Sequence, residues 1–168
     1  GTGNLSSVRK CSNNSSSGDC SSVLGFCNTA TGNGSSILGG SSNNTCSTYS
    51  FVGNGLFNTA SGCYASILNG GSNTATGMYS SLLNGTSNLL SGQYGLIGNG
   101  SANNVSGLKG TIVNGTENCA TVDYATVLSG DSNIASGIHS TILNGFVQQA
   151  IGACSLIGNG YNNLACSC

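Results

Sequence analysis

Proline and tryptophan are absent from the 168 residues, and only three Lys or Arg and four Asp or Glu are present, for a net charge of −1. Each shortage excludes something. Three cations cannot make the basic stripe that neutralises phosphates, so nucleic acid is not an expected partner. Nor can they hold a polybasic contact to anionic lipid. No apolar run approaches the length that spans a bilayer, so membrane insertion is not expected. There is no Met at Gly1 and no signal-like apolar stretch after it, which reads as a processed terminus or one that is not the gene start. Without proline, and without glycine at every third residue, the chain is not a collagen. Without the charged half of an amphipathic stripe it is not a helical bundle. The single His and the lack of any Cys-x-x-Cys argue against zinc. The acidic residues Asp19, Glu117, Asp123 and Asp131 fall in different parts of the chain and form no carboxylate pair. Neither catalysis nor a cofactor is expected.

What is present is glycine, 28 residues of it, and self-similarity. Cutting before the small residue that precedes each aliphatic pair gives eleven units, starting at Ser6, Ser21, Ser35, Ser50, Ala65, Ser80, Gly95, Gly110, Ala125, Ser140 and Ser155. The period is fifteen, with one unit of fourteen from Ser21 to Gly34. Position 3 is always aliphatic, position 6 is almost always Gly, position 9 is Asn except at Gln148, position 11 is mostly Ala and position 13 mostly Gly. Fifteen residues are too few for two helices and a turn, but they fit one rung of two short strands and two corners. Disorder is not the reading, because 38% of the residues are hydrophobic and evenly spaced.

The expectation is therefore an all-β chain: one β-solenoid (β-roll) domain over 1–168, with a lead-in at 1–5 and about eleven 15-residue rungs from 6 to 168. By the period-2 rule, positions 1 and 3 face inward on one strand and positions 9 and 11 on the other. The core is then Val52, Ile67, Leu82, Ile97, Ile112, Val127, Ile142 and Ile157. Asn58, Asn73, Asn88, Asn103, Asn118 and Asn133 stack as an amide ladder that satisfies corner backbone groups. The glycines at positions 6 and 13 are expected at corners needing positive φ. Rungs about 4.8 Å apart make a rod of about 50 Å.

Position 4 is expected to face outward, and its row includes Leu38, Leu68, Leu83, Val113, Leu128 and Leu143. A continuous outward apolar row marks a self-association surface, although position 4 could instead open the corner and be half-buried. Nine cysteines suggest disulfides. They crowd toward the ends as Cys11, Cys20 and Cys27, and as Cys154, Cys166 and Cys168. Cys154 with Cys168, and Cys11 with Cys27, are candidate pairs within the rod, and Cys168 with Cys20 of a following subunit is a candidate lock between rods. Cys119 reads instead as a small buried apolar residue. Asn84, Asn99 and Asn114 lie in sequons on corners and are candidate glycosylation sites. The tyrosines at position 15 (Tyr49, Tyr64, Tyr79, Tyr94 and Tyr124) stack on one another down the rod or offer rings to carbohydrate.

The stretch YSSLLNGTSNLLSGQYG, from Tyr79 to Gly95, resembles the repeats of YadA-type trimeric autotransporter adhesin heads. It is similar also to the related repeats of phage and large-virus fibre proteins, and the resemblance runs from Ser6 to Cys168. It implies a left-handed β-roll whose rolls pack side by side into a trimer. Those adhesin repeats are usually fourteen residues and cysteine-free, whereas these are mostly fifteen with nine Cys. The function expected is a structural, self-assembling repeat protein of an extracellular or viral fibre. Its partner is itself, as a homotrimer or a head-to-tail filament, at an extracellular or virion-surface location. The alternative is an adhesin head that binds a host-surface glycan or receptor. A third reading, from the Ser and Thr columns that resemble plant ice-binding β-rolls, is an ice-binding protein.

Overall fold

A computed structural model describes residues 1–8 and 13–166. Twenty-two two-residue strands form two parallel sheets of eleven strands each. The first sheet runs from Ser7–Val8 to Leu156–Ile157 and the second from Ser15–Ser16 to Leu164–Ala165. Successive strands alternate between the sheets, so each rung gives one strand to each and the chain coils as a single β-solenoid. Partners are fifteen residues apart, as in Ser66↔Ser81 and Thr59↔Thr74. The offset falls to fourteen at Ser15↔Thr29 and Ser22↔Ser36. The short rung absorbs the missing residue at its corner, where Leu24-Gly25 replaces Leu38-Gly39-Gly40. The first corner is more than a turn. A third line of parallel bridges passes through position 7, from Phe26↔Ser41 to Phe146↔Tyr161.

The core is one residue thick. Val52, Ile67, Leu82, Ile97, Ile112, Val127 and Ile142 at position 3 are fully buried, and Ile157 in the last rung is 6% exposed. Opposite them lie small residues at position 11, with Leu90 and Val105 as the large exceptions. Their volume is balanced locally. A Cβ at Gly95 would lie 2.6 Å from Leu90 Cδ1, and one at Gly110 would lie 2.9 Å from Val105 Cγ1. Position 1 of the following rung is thus glycine where position 11 is large, which avoids overpacking the core there.

Between the sheets runs the amide ladder. The Oδ1 of Asn73 accepts the Asn88 backbone N–H at 3.0 Å and the Asn88 Nδ2 at 3.0 Å. The Asn88 Nδ2 also donates to the Gly100 carbonyl of the next rung at 3.0 Å. The same links recur at Asn58, Asn103 and Asn118, and at Asn133 except that its Oδ1 accepts only the Gln148 backbone N–H. Each side chain therefore supplies the acceptor for a buried backbone amide on one side and a second donor to a corner carbonyl on the other, a carbonyl that also accepts a backbone N–H such as Thr86 to Gly100. Gln148 is the odd rung. Its Oε1 accepts the Asn163 N–H at 2.9 Å, but its buried Nε2 has no partner.

The corners correct one expectation. Glycines at position 6 do have positive φ, 114° at Gly70 and 118° at Gly85. Those at position 13 do not; they are glycine because backbone passes over them. A Cβ at Gly62 would lie 2.3 Å from the Gly77 carbonyl oxygen. The left-handed residues are instead at positions 8 and 15, including Phe57, Val147, Tyr79 and Lys109, with φ between 54° and 57°. Most amides donate forward, as Leu68 does to the Leu82 carbonyl at 2.9 Å. At positions 8 and 15 they donate backward: Ser72 to Leu56 at 2.8 Å and Tyr79 to Cys63 at 2.9 Å.

Two outcomes follow for denaturant unfolding. Asn88→Ala should destabilise the rod by about 1–3 kcal/mol, since it leaves the Asn103 amide without its acceptor and removes one of two donors from the Gly100 carbonyl and from the Asn73 Oδ1, which keep the backbone amides of residues 86 and 88, whereas Gln148→Asn should stabilise it by restoring the missing donor links. Gly95→Ala should cost about 1–3 kcal/mol through overpacking against Leu90, and adding Leu90→Ala should make the second change far less costly than it is alone, a coupling read from the double-mutant cycle.

Candidate functional site

The described residues contain no cavity and no cluster of His, Cys, Asp and Glu suited to a metal. Among the described residues no helix is long and apolar enough to cross a membrane. The functional features therefore have to be sought on the outside of the rod, which divides into two sheet faces and the corners between them.

On the first sheet, the outward positions are 2 and 4. Leu38, Leu68, Leu83, Val113, Leu128 and Leu143 all expose between 39% and 55% of their surface. They point away from the core because position 3 between them points in. Adjacent rungs are tied in register by backbone bonds at this point, such as Leu83 N–H to the Ile97 carbonyl at 2.9 Å, so the side chains line up along the rod in a column interrupted at Gly53, Gly98 and Gly158. The second sheet presents positions 10 and 12. There Thr59 with Ser61 and Thr74 with Thr76 present hydroxyls, but exposed Leu89, Ile134, Ile151 and Leu164 interrupt the array.

The corner at position 15 carries an aromatic column. Tyr49, Tyr64, Tyr79 and Tyr94 stack with ring centroids 5.1, 4.9 and 5.2 Å apart. Lys109 breaks the run and sets its Nζ 5.3 Å from the Tyr124 ring centroid, and Tyr124 stacks on His139 at 4.5 Å. The left-handed backbone beneath each ring costs about 1–2 kcal/mol, and a stacked pair returns about 0.5–1.5 kcal/mol. Within the run the ring faces cover one another, so edges and hydroxyls meet solvent. A sugar that stacks on an aromatic face finds its place already taken between neighbouring rings. A second stacked pair, Phe146 with Tyr161 at 5.6 Å, lies on position 7 and was not legible as a contact in the sequence.

The described cysteines form no bridge with one another. Cys20, Cys27, Cys46, Cys63, Cys119, Cys154 and Cys166 are all free. The register explains this, since none of the seven stands opposite another: Cys46, for example, lies across from Ser61 and Cys119 from Ile134. Cys11 and Cys168, the partners proposed for Cys27, Cys154 and a neighbouring Cys20, lie outside the described residues. Cys119 is not a core residue either. It takes outward position 10 and is half-buried, and that partial desolvation pushes its thiol above the ordinary value. Asn84, Asn99 and Asn114 are exposed at the first corner in three consecutive rungs.

No protein-family model matches the chain, and no curated protein matches it.

Thiol reactivity follows from this arrangement. Mild alkylation near pH 8 should modify the exposed Cys20, Cys46, Cys154 and Cys166 first and Cys119 more slowly, because a raised thiol holds less thiolate at that pH; peptide mass mapping against time reads the order, and equal rates would contradict it.

Proposed function

We propose that the chain is a structural repeat rod that assembles side by side with copies of itself, as a component of an extracellular or virion-surface fibre. The observation that carries this reading is the outward face of the first sheet, where every rung from Ser22 to Gly158 carries a bulky apolar residue, at position 4 or, where position 4 is Gly53, Gly98 or Gly158, at position 2, and no charge. Bulky apolar side chains that recur in register on one face, one to a rung, build an apolar strip rather than scattered residues, and such strips mark association surfaces. A rigid stack of identical backbone units suits a load-bearing or spacing role. The setting outside the cell or on a virion rests on the likeness of the repeat to fibre proteins. Head-to-tail growth belongs to the same reading, since an open end of a parallel solenoid presents the backbone groups that a further rung would pair.

The test is assembly. At micromolar concentration the protein should sediment as a species larger than 16.5 kDa, and electron micrographs should show bundled rods or filaments. The triple variant Leu68→Lys, Leu83→Lys and Leu128→Lys should sediment as the monomer with unchanged circular dichroism. A wild-type chain that stays monomeric at all concentrations would overturn the reading. Disassembly by reductant alone would instead assign the contact to cysteines rather than to this face.

A further inference from the structure

The first-sheet face obeys a rule that the inside of the rod does not require. In ten consecutive rungs, from Ser22 to Gly158, positions 2 and 4 hold one bulky apolar residue and one small residue. Seven of these rungs place Ser or Thr at position 2 and Leu or Val at position 4. Three invert the order: Phe51 with Gly53, Leu96 with Gly98, and Leu156 with Gly158. At Gly53 and Gly98 a Cβ would lie 2.4 Å from the carbonyl oxygen of the next rung, so neither can hold the bulky group. The bulky group is not lost in those rungs; it moves to position 2. The second-sheet face shows no such pairing, since Thr59 and Ser61 are both small while Gln149 and Ile151 are both long.

We infer that this face packs against the same face of a second copy, rung for rung, about a two-fold axis parallel to the rod; the inference rests on the side-by-side assembly proposed above and specifies its geometry. Such an axis keeps every rung at its own height and reverses the strand direction across the contact. Position 2 of a rung then faces position 4 of the same rung in the other copy. Every bulky side chain meets the small residue of its own rung, in ordinary and inverted rungs alike.

Other arrangements of the same two faces lose this fit. A two-fold axis along the strands would set position 4 against position 4 and press Leu on Leu. A slip by one rung would set Leu96 against Val113 on one side and Leu83 on the other. The inverted rungs therefore act as register pins, as a single odd position does in other long, uniform interfaces. Ten rungs at about 4.8 Å, each four residue spacings wide at about 3.3 Å, give roughly 600 Å² of face per copy before side-chain relief is added. That approaches the ≈ 800 Å² per partner of a standard interface, about what a stable dimer needs. No charge at positions 2 or 4 between Ser22 and Gly158 opposes the approach of an identical face.

The test uses one ordinary rung and outward positions only. Thr126→Leu makes that rung bulky twice, Leu128→Ser makes it small twice, and Thr126→Leu with Leu128→Thr inverts it. Sedimentation equilibrium should show each single change weakening the homodimer about ten-fold or more, while the inverted double variant returns to within about two-fold of wild type because its partner carries the same inversion. Native mass spectrometry of the two single variants mixed together should show the heterodimer in excess of both homodimers. Circular dichroism and melting confirm that each rod is folded. If the wild type associates but the inverted variant is as weak as the singles, or the mixture shows no heterodimer preference, the two-fold in-register packing is wrong while side-by-side assembly stands. A wild type that never associates defeats both.

Discussion

Everything in this rod depends on each rung sitting at the same height over the next. The spacing of about 4.8 Å is that of neighbouring strands, and it is held twice over. The backbone holds it through forward bonds from the outward positions of both strands, such as Ser66, Leu68, Thr74 and Thr76. The asparagine ladder holds it from within, because one carboxamide bridges to the amide of the rung on one side and the corner carbonyl of the rung on the other. A thin core of one aliphatic residue facing one small residue has little area with which to fix register by packing alone. A polar ladder that is satisfied only in one register supplies that specificity.

The demand for constant height explains the corners. A chain that climbs one rung per fifteen residues must reverse direction twice without drifting, and the reversals at positions 8 and 15 turn their amides back toward the rung before. That requires left-handed backbone at residues as ill suited to it as Val147 and Tyr79. The strain is periodic, and so is its compensation, since equivalent side chains at position 15 stand close enough to stack. The same stacking brings backbone so near to position 13 that a Cβ is hard to fit, which is why glycine prevails there without any unusual φ.

With its interior filled by a fixed pattern, the chain has freedom only on the outside. Variation is concentrated at positions 2, 4, 7, 8, 10, 12, 14 and 15, and the first-sheet face is where that variation is coordinated from one position to another. A side-by-side structural rod is the reading that uses this face. The interior offers no enclosed space for a ligand among the described residues.

The sequence by itself determined the fold class, the fifteen-residue rung, the alternation of strands and the inward placement of positions 1, 3, 9 and 11. It could do so because a period-2 strand pattern inside an exact repeat leaves only one way to bury the aliphatic positions. It also marked position 4 as outward, since position 3 is inward. Only the tertiary structure decided what depends on contacts between rungs. These are the third line of bridges at position 7, the true left-handed positions, the close approach behind the position-13 glycines, and the pairing of Leu90 with Gly95. The cysteines show the same division: their number suggested bridges, but the register places none of the described seven opposite another. Composition counts residues along the chain, whereas a contact between rungs is set by what stands fifteen residues away and by how the backbone between them turns.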